Sequence, residues 1–396
     1  MKFGPVRNRL RYGAAIAVIA GLGVAQAVLH DRASAQDNMV DAPKFEVDPL
    51  WPKPLPNGWL LGASIGVWVD DQDQIWMIHR SSDTLHNNEK SAETSPPIAE
   101  CCEGAPPILV FNQAGDLVKS WGGPGEGYEW PQSNHGIHVD YKGNVWIGGN
   151  GEKDAHLLKF TNDGKFLLQV GGIGKNAGSN DLENFGRVAE LWVDPETNET
   201  YVADGYLNKR VAVLDADTGK MKRFWGAYGN KPDDTNLGPY DPKAPPAQQF
   251  RNPVHCVQRT VDGLVYVCDR ANDRVQVFNP DGTFVKEAFF GKETLGSGST
   301  WEIAFSADDQ QRFMYIIDGM NKKVRIIERA TLEEIGSFGS GGRQPGQFYG
   351  PHSIATDSNG NIYTTETWEG KRIQKFVFKG VEKMPRGDRG VVWPQT

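Results

Sequence analysis

The sequence predicts an all-β protein: a six-bladed β-propeller, in which six four-stranded sheets close into a ring, after an N-terminal signal segment. Three observations predict this class. A unit of four short strands separated by turns rich in Asp, Asn and Gly recurs six times. No segment shows the pattern of a long amphipathic helix, and a length of 396 residues suits a single propeller domain.

The fourth repeat shows the whole unit, because its strands and turns follow one another without insertions. Its turns contain Asp262-Gly263, Asn272-Asp273-Arg274 and Asp281-Gly282. Alternating apolar residues lie between these turns, as expected for short strands with one face against a neighbouring sheet. Aligned on the first turn, the inner strands of the six repeats begin near Ile65, His135, Ala189, His255, Trp301 and His352.

Insertions explain why the repeats differ in length. One spans residues 81–107 in the first repeat, and a second, rich in Pro and Asp, spans residues 230–249 after the third. The last repeat needs a closing strand, which residues 44–52 can supply, and closure removes exposed sheet edges. We therefore predict one propeller domain over residues 36–396.

The N-terminus predicts export. Four basic residues precede an apolar stretch over residues 13–29, and the small residues Ala33-Ser34-Ala35 follow it. We predict a signal peptide over residues 1–35, cleaved after Ala35, with Ala25-Gln26-Ala27 as a second candidate cut. No paired arginines precede the apolar stretch, which favours the general secretion route. The expected product is secreted or periplasmic and keeps no stable membrane insertion, whereas an uncleaved leader would anchor it.

The composition of the chain limits the classes of partner that it is expected to bind. A net charge of −8 and a pI of about 5.6 argue against nucleic-acid binding. We expect a monomer that binds a small-molecule or peptide substrate.

The four cysteines fit an oxidising compartment. Cys256 and Cys268 lie near the start of one predicted strand and the end of the next, so a bridge between them and two free thiols are both open. Adjacent cysteines rarely bond to each other without strain. For Cys101 and Cys102 we therefore consider an external disulfide, metal binding, or neither.

Three of the eight histidines share a position in the repeat. His135, His255 and His352 begin the inner strands of repeats two, four and six. Alternate blades of a six-bladed ring point at the axis a third of a turn apart, which is the geometry of a three-histidine metal site with one open position. A lone histidine at a strand start is more often a capped or solvated residue, but three in phase are much less expected by chance. His138 lacks this phase and is expected to be a packing residue.

Strand direction adds further residues to the same face of the ring. Each second strand returns the chain to the histidine face, so the residues that follow it lie near the candidate site. The return points are His79-Arg80, Asp204-Gly205-Tyr206, Asp269-Arg270 and Asp318-Gly319-Met320. A metal, two guanidinium groups and a phenol would share one rim.

The repeats resemble NHL repeats, and their motifs resemble the lyase domain of peptidylglycine α-amidating monooxygenase over roughly residues 58–377. That family binds zinc through histidines in Pro-His-Gly, Pro-His-Ser and Pro-His-Asp motifs. The corresponding motifs here are Asn134-His135-Gly136, Val254-His255-Cys256 and Pro351-His352-Ser353. The family's His-Arg, Ser-Asp-Gly-Tyr and Asp-Arg-Glu-Asn motifs match Ile78-His79-Arg80, Ala203-Asp204-Gly205-Tyr206 and Asp269-Arg270-Ala271-Asn272.

The resemblance implies an exported zinc-dependent lyase that cleaves the N–C bond of a carbinolamide, such as a peptidyl-α-hydroxyglycine, into an amide and glyoxylate. It implies Tyr206 as general base, and Arg80 and Arg270 as residues that orient the substrate and stabilise charge. Three imidazoles also bind other divalent transition metals, so zinc depends on the resemblance. Two alternatives stay open: a metal-dependent hydrolase or lactonase on the same ring, and a non-catalytic NHL binding module.

Two positions depart from the family. Gly350 replaces a methionine two residues before the third histidine, which predicts a wider pocket beside the metal. Ser353 replaces the aspartate that holds a structural calcium ion in the family, which argues against calcium here. Backbone carbonyls near Val67 and Ile137, and the carboxylates of Glu190 or Glu302, remain candidate ligands for that ion.

The sequence also shows no copper monooxygenase domain that would make hydroxyglycine peptides. Either a separate enzyme supplies the substrate, or this protein acts on another small hydroxylated or carbonyl compound.

Overall fold

The structure, a computed structural model, describes residue 1 and residues 39–394, so the predicted signal peptide lies outside the described residues. The fold is a six-bladed β-propeller, as predicted. The strands that precede or form the first three blades are, in chain order, β1 (Met39–Asp48), β2 (Trp59–Leu60), β3 (Ser64–Val69), β4 (Ile75–His79), β5 (Glu103–Gly104), β6 (Ile108–Phe111), β7 (Leu117–Trp121), β8 (Asn134–Val139), β9 (Val145–Gly149), β10 (His156–Phe160), β11 (Phe166–Gly171), β12 (Val188–Asp194), β13 (Glu199–Asp204), β14 (Arg210–Asp215) and β15 (Met221–Trp225).

The second half of the ring repeats the same arrangement. Its strands are β16 (Val254–Arg259), β17 (Val265–Asp269), β18 (Arg274–Phe278), β19 (Phe284–Phe289), β20 (Glu302–Phe305), β21 (Phe313–Asp318), β22 (Lys323–Glu328), β23 (Glu333–Phe338), β24 (Pro351–Thr356), β25 (Ile362–Glu366), β26 (Arg372–Pro385) and β27 (Gly387–Asp388). Three short 3-10 helices occupy connections, at Ser81–Thr84, Ala227–Gly229 and Arg270–Asn272. Within the described ranges, no helix has the length and apolarity needed to cross a membrane.

Each blade has four antiparallel strands, the first of which lies next to the ring axis, and in the fifth blade β27 pairs parallel with the outer strand β23. The blades are β3-β4-β6-β7, β8 to β11, β12 to β15, β16 to β19, β20 to β23, and β24-β25-β26 with β1. The first strands of neighbouring blades contact one another around the ring. Strand starts in the even blades therefore meet at one end of the axis.

Aspartates fix several of the turns between first and second strands. The Oδ1 atom of Asp70 accepts hydrogen bonds from the backbone N–H groups of Gln72 and Gln74, and its Oδ2 accepts from Trp76 Nε1. Asp140 makes the same three kinds of contact in the second blade. A short carboxylate that bonds the backbone two residues on is well suited to such turns.

Six apolar clusters hold the ring together, and each lies between two neighbouring blades. The cluster that joins the sixth blade to the first contains Val67, Met77 and Phe111 from the first blade and Tyr363 and Ile373 from the sixth. Because every interface is filled, the ring is closed by packing as well as by strand pairing.

The N-terminal strand closes the last blade. β1 pairs antiparallel with β26, from Met39 opposite Pro385 to Asp48 opposite Lys375. The prediction placed this strand at residues 44–52, which is several residues too late. After Asp48 the chain leaves the sheet, because Trp51 packs between blades six and one against Tyr363, with ring centroids 5.0 Å apart.

Two disulfides are present among the described residues. Cys256 and Cys268 lie directly opposite each other in the pairing of β16 with β17 and form a bridge, which decides the question the sequence left open. Cys101 and Cys102 are bonded to each other, so all three outcomes considered for them were wrong. The parallel pair of β2 and β5 ties the insertion that carries them to the first blade, through Trp59 and Glu103.

Candidate active site

The three in-phase histidines are held by backbone carbonyls of the neighbouring odd blades. The Nδ1 atoms of His135 and His352 lie 2.6 Å and 2.7 Å from the carbonyl oxygens of Ala189 and Ile65, and His255 Nδ1 bonds the carbonyl of Trp301. A carbonyl oxygen only accepts, so each Nδ1 carries the proton and donates it. Each Nε2 atom is consequently left with a free lone pair.

These lone-pair nitrogens converge. One nitrogen from each of His135, His255 and His352 lies within 4.8 Å of the other two, and the ring centroids are 4.8–5.1 Å apart. Nitrogens bound to one tetrahedral zinc ion are separated by roughly 3.3 Å. Small side-chain movements would bring all three onto one ion. Among the described residues, this is the group of three or more His, Cys, Asp or Glu side chains that could hold a metal.

The environment keeps the imidazoles neutral. Burial lowers the pKa of His352 to about 3 and lowers the pKa values of His135 and His255 well below 6.5. The positive charges of Arg270 and Arg80 act in the same direction on His352. Neutral imidazole is the form that binds a metal, so the residues are in the correct state at neutral pH.

Tyr206 lies at the centre of the group. Its hydroxyl is 2.9 Å from His135 Nε2 and 3.0 Å from His255 Nε2. A phenol has one proton, so it donates to only one of two acceptor nitrogens. No hydrogen bond from the described part of the chain reaches His352 Nε2. Three buried lone pairs with one proton between them fit a bound cation, and this donor set suits a divalent transition metal.

The two predicted arginines lie on the same rim in different arrangements. Arg270 donates from Nη1 to the Tyr206 hydroxyl at 3.1 Å, and its guanidinium lies 4.4 Å from the Trp301 ring centre. Arg80 donates from Nη2 to Asn150 Oδ1 at 2.8 Å and makes no hydrogen bond to Tyr206. Burial lowers the pKa of Arg80, and the nearby Tyr206 opposes that shift.

A repeated buried ion pair positions the rim loops. In the third blade Asp204 Oδ2 accepts hydrogen bonds from Arg210 Nε at 2.8 Å and from Asn208 Nδ2. Asp204 and Asn208 lie two residues before and two residues after Tyr206. In the fourth blade Asp269, which directly precedes Arg270, makes the equivalent contacts with Asn272 and Arg274, which follow it. The loops that carry the phenol and the guanidinium are therefore fixed by charge-assisted hydrogen bonds beneath them.

Gly350 does not widen the pocket as predicted. A Cβ atom at this position would lie 2.8 Å from the Trp368 ring and 2.9 Å from the Thr367 carbonyl oxygen. Trp368 also packs against Trp301, with ring centroids 5.6 Å apart. The space beside Gly350 is thus already taken by an indole ring, which the sequence comparison at one position could not show.

Two of the calcium ligands suggested by the sequence, Glu190 and Glu302, accept hydrogen bonds from protein donors. Ser353 Oγ donates to Glu302 Oε1 at 2.9 Å and accepts from the Val67 N–H at 3.0 Å. Glu190 Oε2 accepts from the Val257 N–H at 3.2 Å. Burial raises the pKa of Glu190 to about 8 and raises that of Glu302. Both carboxyl groups thus have protein hydrogen-bond donors, and the absence of calcium stays a prediction.

His138 is a packing residue, as predicted. It is buried, its Nε2 accepts from the Val193 N–H at 3.2 Å, and its ring centre is 4.2 Å from that of Trp68. The sequence did not reveal Asn150, which accepts a hydrogen bond from Arg80. It also did not reveal that Trp301 contacts both His255, through its carbonyl, and Arg270, through its ring. The position of Trp301, equivalent to that of the histidines in the fifth repeat, was the available signal.

Comparisons with known proteins agree with the repeat and the motifs. Residues 348–376 match the family model of the NHL repeat. The chain is 26% identical over 361 residues to NHL repeat-containing protein 3 of Mus musculus, covering 85% of each chain. It is 26% identical to peptidyl-alpha-hydroxyglycine alpha-amidating lyase 1 of Drosophila melanogaster, covering 84% of this chain and 60% of that protein.

A third relative and a solved structure complete the comparison. Peptidyl-glycine alpha-amidating monooxygenase B of Xenopus laevis is 31% identical over 235 residues, which cover 58% of this chain and 24% of that protein. A streptogramin B lyase structure aligns with 87% of this chain and 99% of its own, at 12% identity and a TM-score of 0.48. The chain is a six-bladed β-propeller with an NHL repeat, and it resembles amidating lyase domains at low sequence identity.

Proposed function

We propose that this protein is a metal-dependent lyase that cleaves the N–C bond of a carbinolamide of the peptidyl-α-hydroxyglycine type, giving an amide and glyoxylate. One observation carries the proposal. Three neutral histidines from alternate blades converge beside the hydroxyl of Tyr206 and the guanidinium of Arg270. Similarity to proteins named as amidating lyases supports the reaction type.

The site residues can perform the required proton transfers. A divalent metal held by His135, His255 and His352, zinc by the family resemblance, would supply Lewis acidity toward the substrate hydroxyl. Tyr206 takes the hydroxyl proton as general base. The electron pair of that O–H bond forms the aldehyde C=O of glyoxylate as the C–N bond breaks, and the nitrogen takes up the proton that Tyr206 accepted, which completes the primary amide.

The two arginines stabilise negative charge on Tyr206 and on the substrate. Arg270 donates to the Tyr206 oxygen at 3.1 Å, so it stabilises negative charge on that atom when the proton is absent. Arg80 donates to Asn150 Oδ1 and to the carbonyl of Asn134, the residue before His135, and its guanidinium is suited to contact the substrate carboxylate. Both residues lie on the rim that a substrate must cross.

We propose that the protein acts outside the cytoplasm. The disulfide between Cys256 and Cys268 and the bond between Cys101 and Cys102 support an oxidising compartment. Fractionation of cells that produce the full chain, with N-terminal sequencing of the exported protein, tests this point. A chain that starts at Gln36 is expected outside the cytoplasm, and an intact Met1 in the cytoplasm would contradict it.

The function is tested by glyoxylate release from an N-acyl-α-hydroxyglycine, corrected for the uncatalysed rate. We expect His135→Ala, His255→Ala and His352→Ala each to lose bound metal and to lower kcat/KM at least about 100-fold. The matched control is His138→Gln, a buried histidine outside the site, which should keep both metal and rate. Retained metal content in all three alanine variants would reject the proposal.

The same preparation separates the two alternatives. Hydrolysis of lactones or esters without glyoxylate release would assign the ring to a hydrolase. A purified protein without tightly bound metal, whose partner binding survives chelation, would indicate a non-catalytic binding module.

A further inference from the structure

A cavity of about 840 Å³ lies on the histidine face beside the candidate active site. None of the six predicted site residues lines it. One wall comes from the insertion after the third blade, with Leu237 and Tyr240, and the opposite wall includes Leu207 and Leu295. The insertion predicted from the spacing of the repeats therefore builds a chamber on the rim.

The cavity is directly next to the proposed catalytic groups. Leu207 follows Tyr206 in the chain, and Ala271, which also lines the cavity, follows Arg270. The residues that carry the phenol and the guanidinium are thus each joined in the chain to a residue of the cavity wall. An extended peptide advances by about 3.3–3.6 Å per residue, so a substrate whose end reacts at the histidines reaches the cavity within one to three residues.

The charged groups of the cavity are already engaged in holding the insertion. Asp234 accepts hydrogen bonds from the backbone and the hydroxyl of Ser179. Lys209 donates to the carbonyl of Thr235, and Arg251 donates to Asn272 Oδ1 and to the carbonyl of Gly238. These contacts use the charged side chains of the cavity to hold the insertion, and they leave apolar side chains such as Leu207 and Leu295 open to a ligand.

The apolar side chains are unusually exposed. Leu295 is 58% exposed and Leu207 is 48% exposed, although both line a concave surface. Large apolar side chains that are left open around a cavity indicate a binding surface.

We propose that this cavity binds an apolar side chain in the acyl part of the substrate, close to the α-hydroxyglycine. The protein then selects peptides with a bulky apolar residue near the reacting end over small hydroxylated compounds. This inference rests on the proposed lyase function. It adds a specificity pocket that the insertion at residues 230–249 creates.

The test compares acetylated triglycyl-α-hydroxyglycine with three analogues that carry Leu at the first, second or third position before the reacting residue. We expect one of the three positions to raise kcat/KM about tenfold or more over the all-glycine peptide, because a filled apolar pocket discriminates on that scale. In Leu295→Asp the ratio of kcat/KM for the preferred Leu peptide to that for the all-glycine peptide should be close to one. The matched control is Val261→Asp, whose side chain is 63% exposed on the opposite face and which should keep the wild-type ratio.

The outcomes distinguish failure of the specificity pocket from failure of the lyase function. Equal kcat/KM for all four peptides, or a preference that survives Leu295→Asp, would overturn the specificity pocket and leave the lyase function in place. Absence of glyoxylate from all four peptides and from acetyl-α-hydroxyglycine would contradict the lyase function and this inference together.

Discussion

At the scale of single residues, the candidate site depends on where each histidine carries its proton. Carbonyl oxygens of Ile65, Ala189 and Trp301, all on odd blades, each accept from the Nδ1 of a histidine on an even blade. This fixes the tautomer that presents Nε2 to the axis. The arrangement uses backbone atoms, so no side-chain motif in the sequence reveals it.

The hydroxyl of Tyr206 is the group that our account makes the general base. Tyr206→Phe removes the hydroxyl and keeps the ring, so we expect kcat to fall about 100-fold to 10,000-fold. Metal content should be unchanged, because the three histidines are intact. Glyoxylate release and elemental analysis on the same sample measure both. A variant with the wild-type rate would show that another group takes the proton.

His138 gives a pH prediction that is independent of the metal. Burial lowers its pKa from 6.5 to about 3, so between these values the unfolded chain binds a proton and the folded protein does not. The free energy of unfolding therefore falls as the pH drops below about 6.5. His138→Gln can still accept from the Val193 N–H and cannot be protonated.

We expect the loss of unfolding free energy between pH 7 and pH 5 to be smaller in His138→Gln by about 2 kcal/mol. Denaturant titrations of both proteins at the two pH values measure the difference. The same loss in both proteins would mean that His138 is protonated in the folded state.

At the scale of elements, the loops between second and third strands form the rim that carries Tyr206 and Arg270. Acid–arginine pairs recur there in four blades, fully buried as Asp204–Arg210 and Asp269–Arg274 and with a partly exposed arginine as Asp318–Arg325 and Glu366–Arg372. The pairs in blades three and four lie directly under Tyr206 and Arg270. Loss of one partner leaves the other charge buried and unpaired, which is costly.

Asp204→Asn tests this role. We expect it to lower the free energy of unfolding by about 3–5 kcal/mol, because Arg210 is fully buried and loses its counter-charge. Glyoxylate release should fall as well, since the loop that carries Tyr206 loses its anchor. The matched control, Asp217→Asn, breaks the exposed pair with Lys142 and should change stability by less than about 1 kcal/mol. An equal loss of unfolding free energy in both variants would show that the buried pair contributes no more to stability than the exposed pair.

The elements were largely predictable, and the errors have local causes. Turn residues such as Asp262-Gly263 and the alternating strands predicted six four-stranded blades, and the structure has six blades, the fifth of which gains a fifth strand, β27. The closing strand was placed too late because Trp51 looks like a strand residue in sequence, whereas it packs between two blades. The bond between Cys101 and Cys102 was not predicted because adjacent cysteines rarely bond to each other.

At the scale of the whole molecule, one N-terminal strand closes the ring. Phe45 and Val47 of β1 are buried in the cluster that joins blades five and six. A chain that begins after Asp48 loses these side chains and exposes the edge of β26. We expect its free energy of unfolding to fall by about 4 kcal/mol or more, with self-association visible by size-exclusion chromatography.

A chain that begins at Met39 keeps β1 and is the matched control for this truncation. Unchanged stability and a monomeric elution of the shorter chain would show that β1 does not close the ring.

Ring symmetry is also what made the histidine cluster predictable. Equal phase on alternate blades placed His135, His255 and His352 at one end of the axis, and the structure brings their nitrogens within 4.8 Å of one another. Their roles as metal ligands stay a prediction. The specificity cavity depends on residues 230–249, which break the symmetry, so the sequence indicated an insertion and gave no shape for it.

The central claim is that one divalent metal ion is held by imidazoles from three alternate blades. Anomalous diffraction from crystals of the purified protein, recorded above and below the zinc absorption edge, tests it most directly. We predict a single strong peak about 2.0–2.1 Å from the Nε2 atoms of His135, His255 and His352. No peak at this position for zinc or another transition metal, in a protein that releases glyoxylate, would contradict the account.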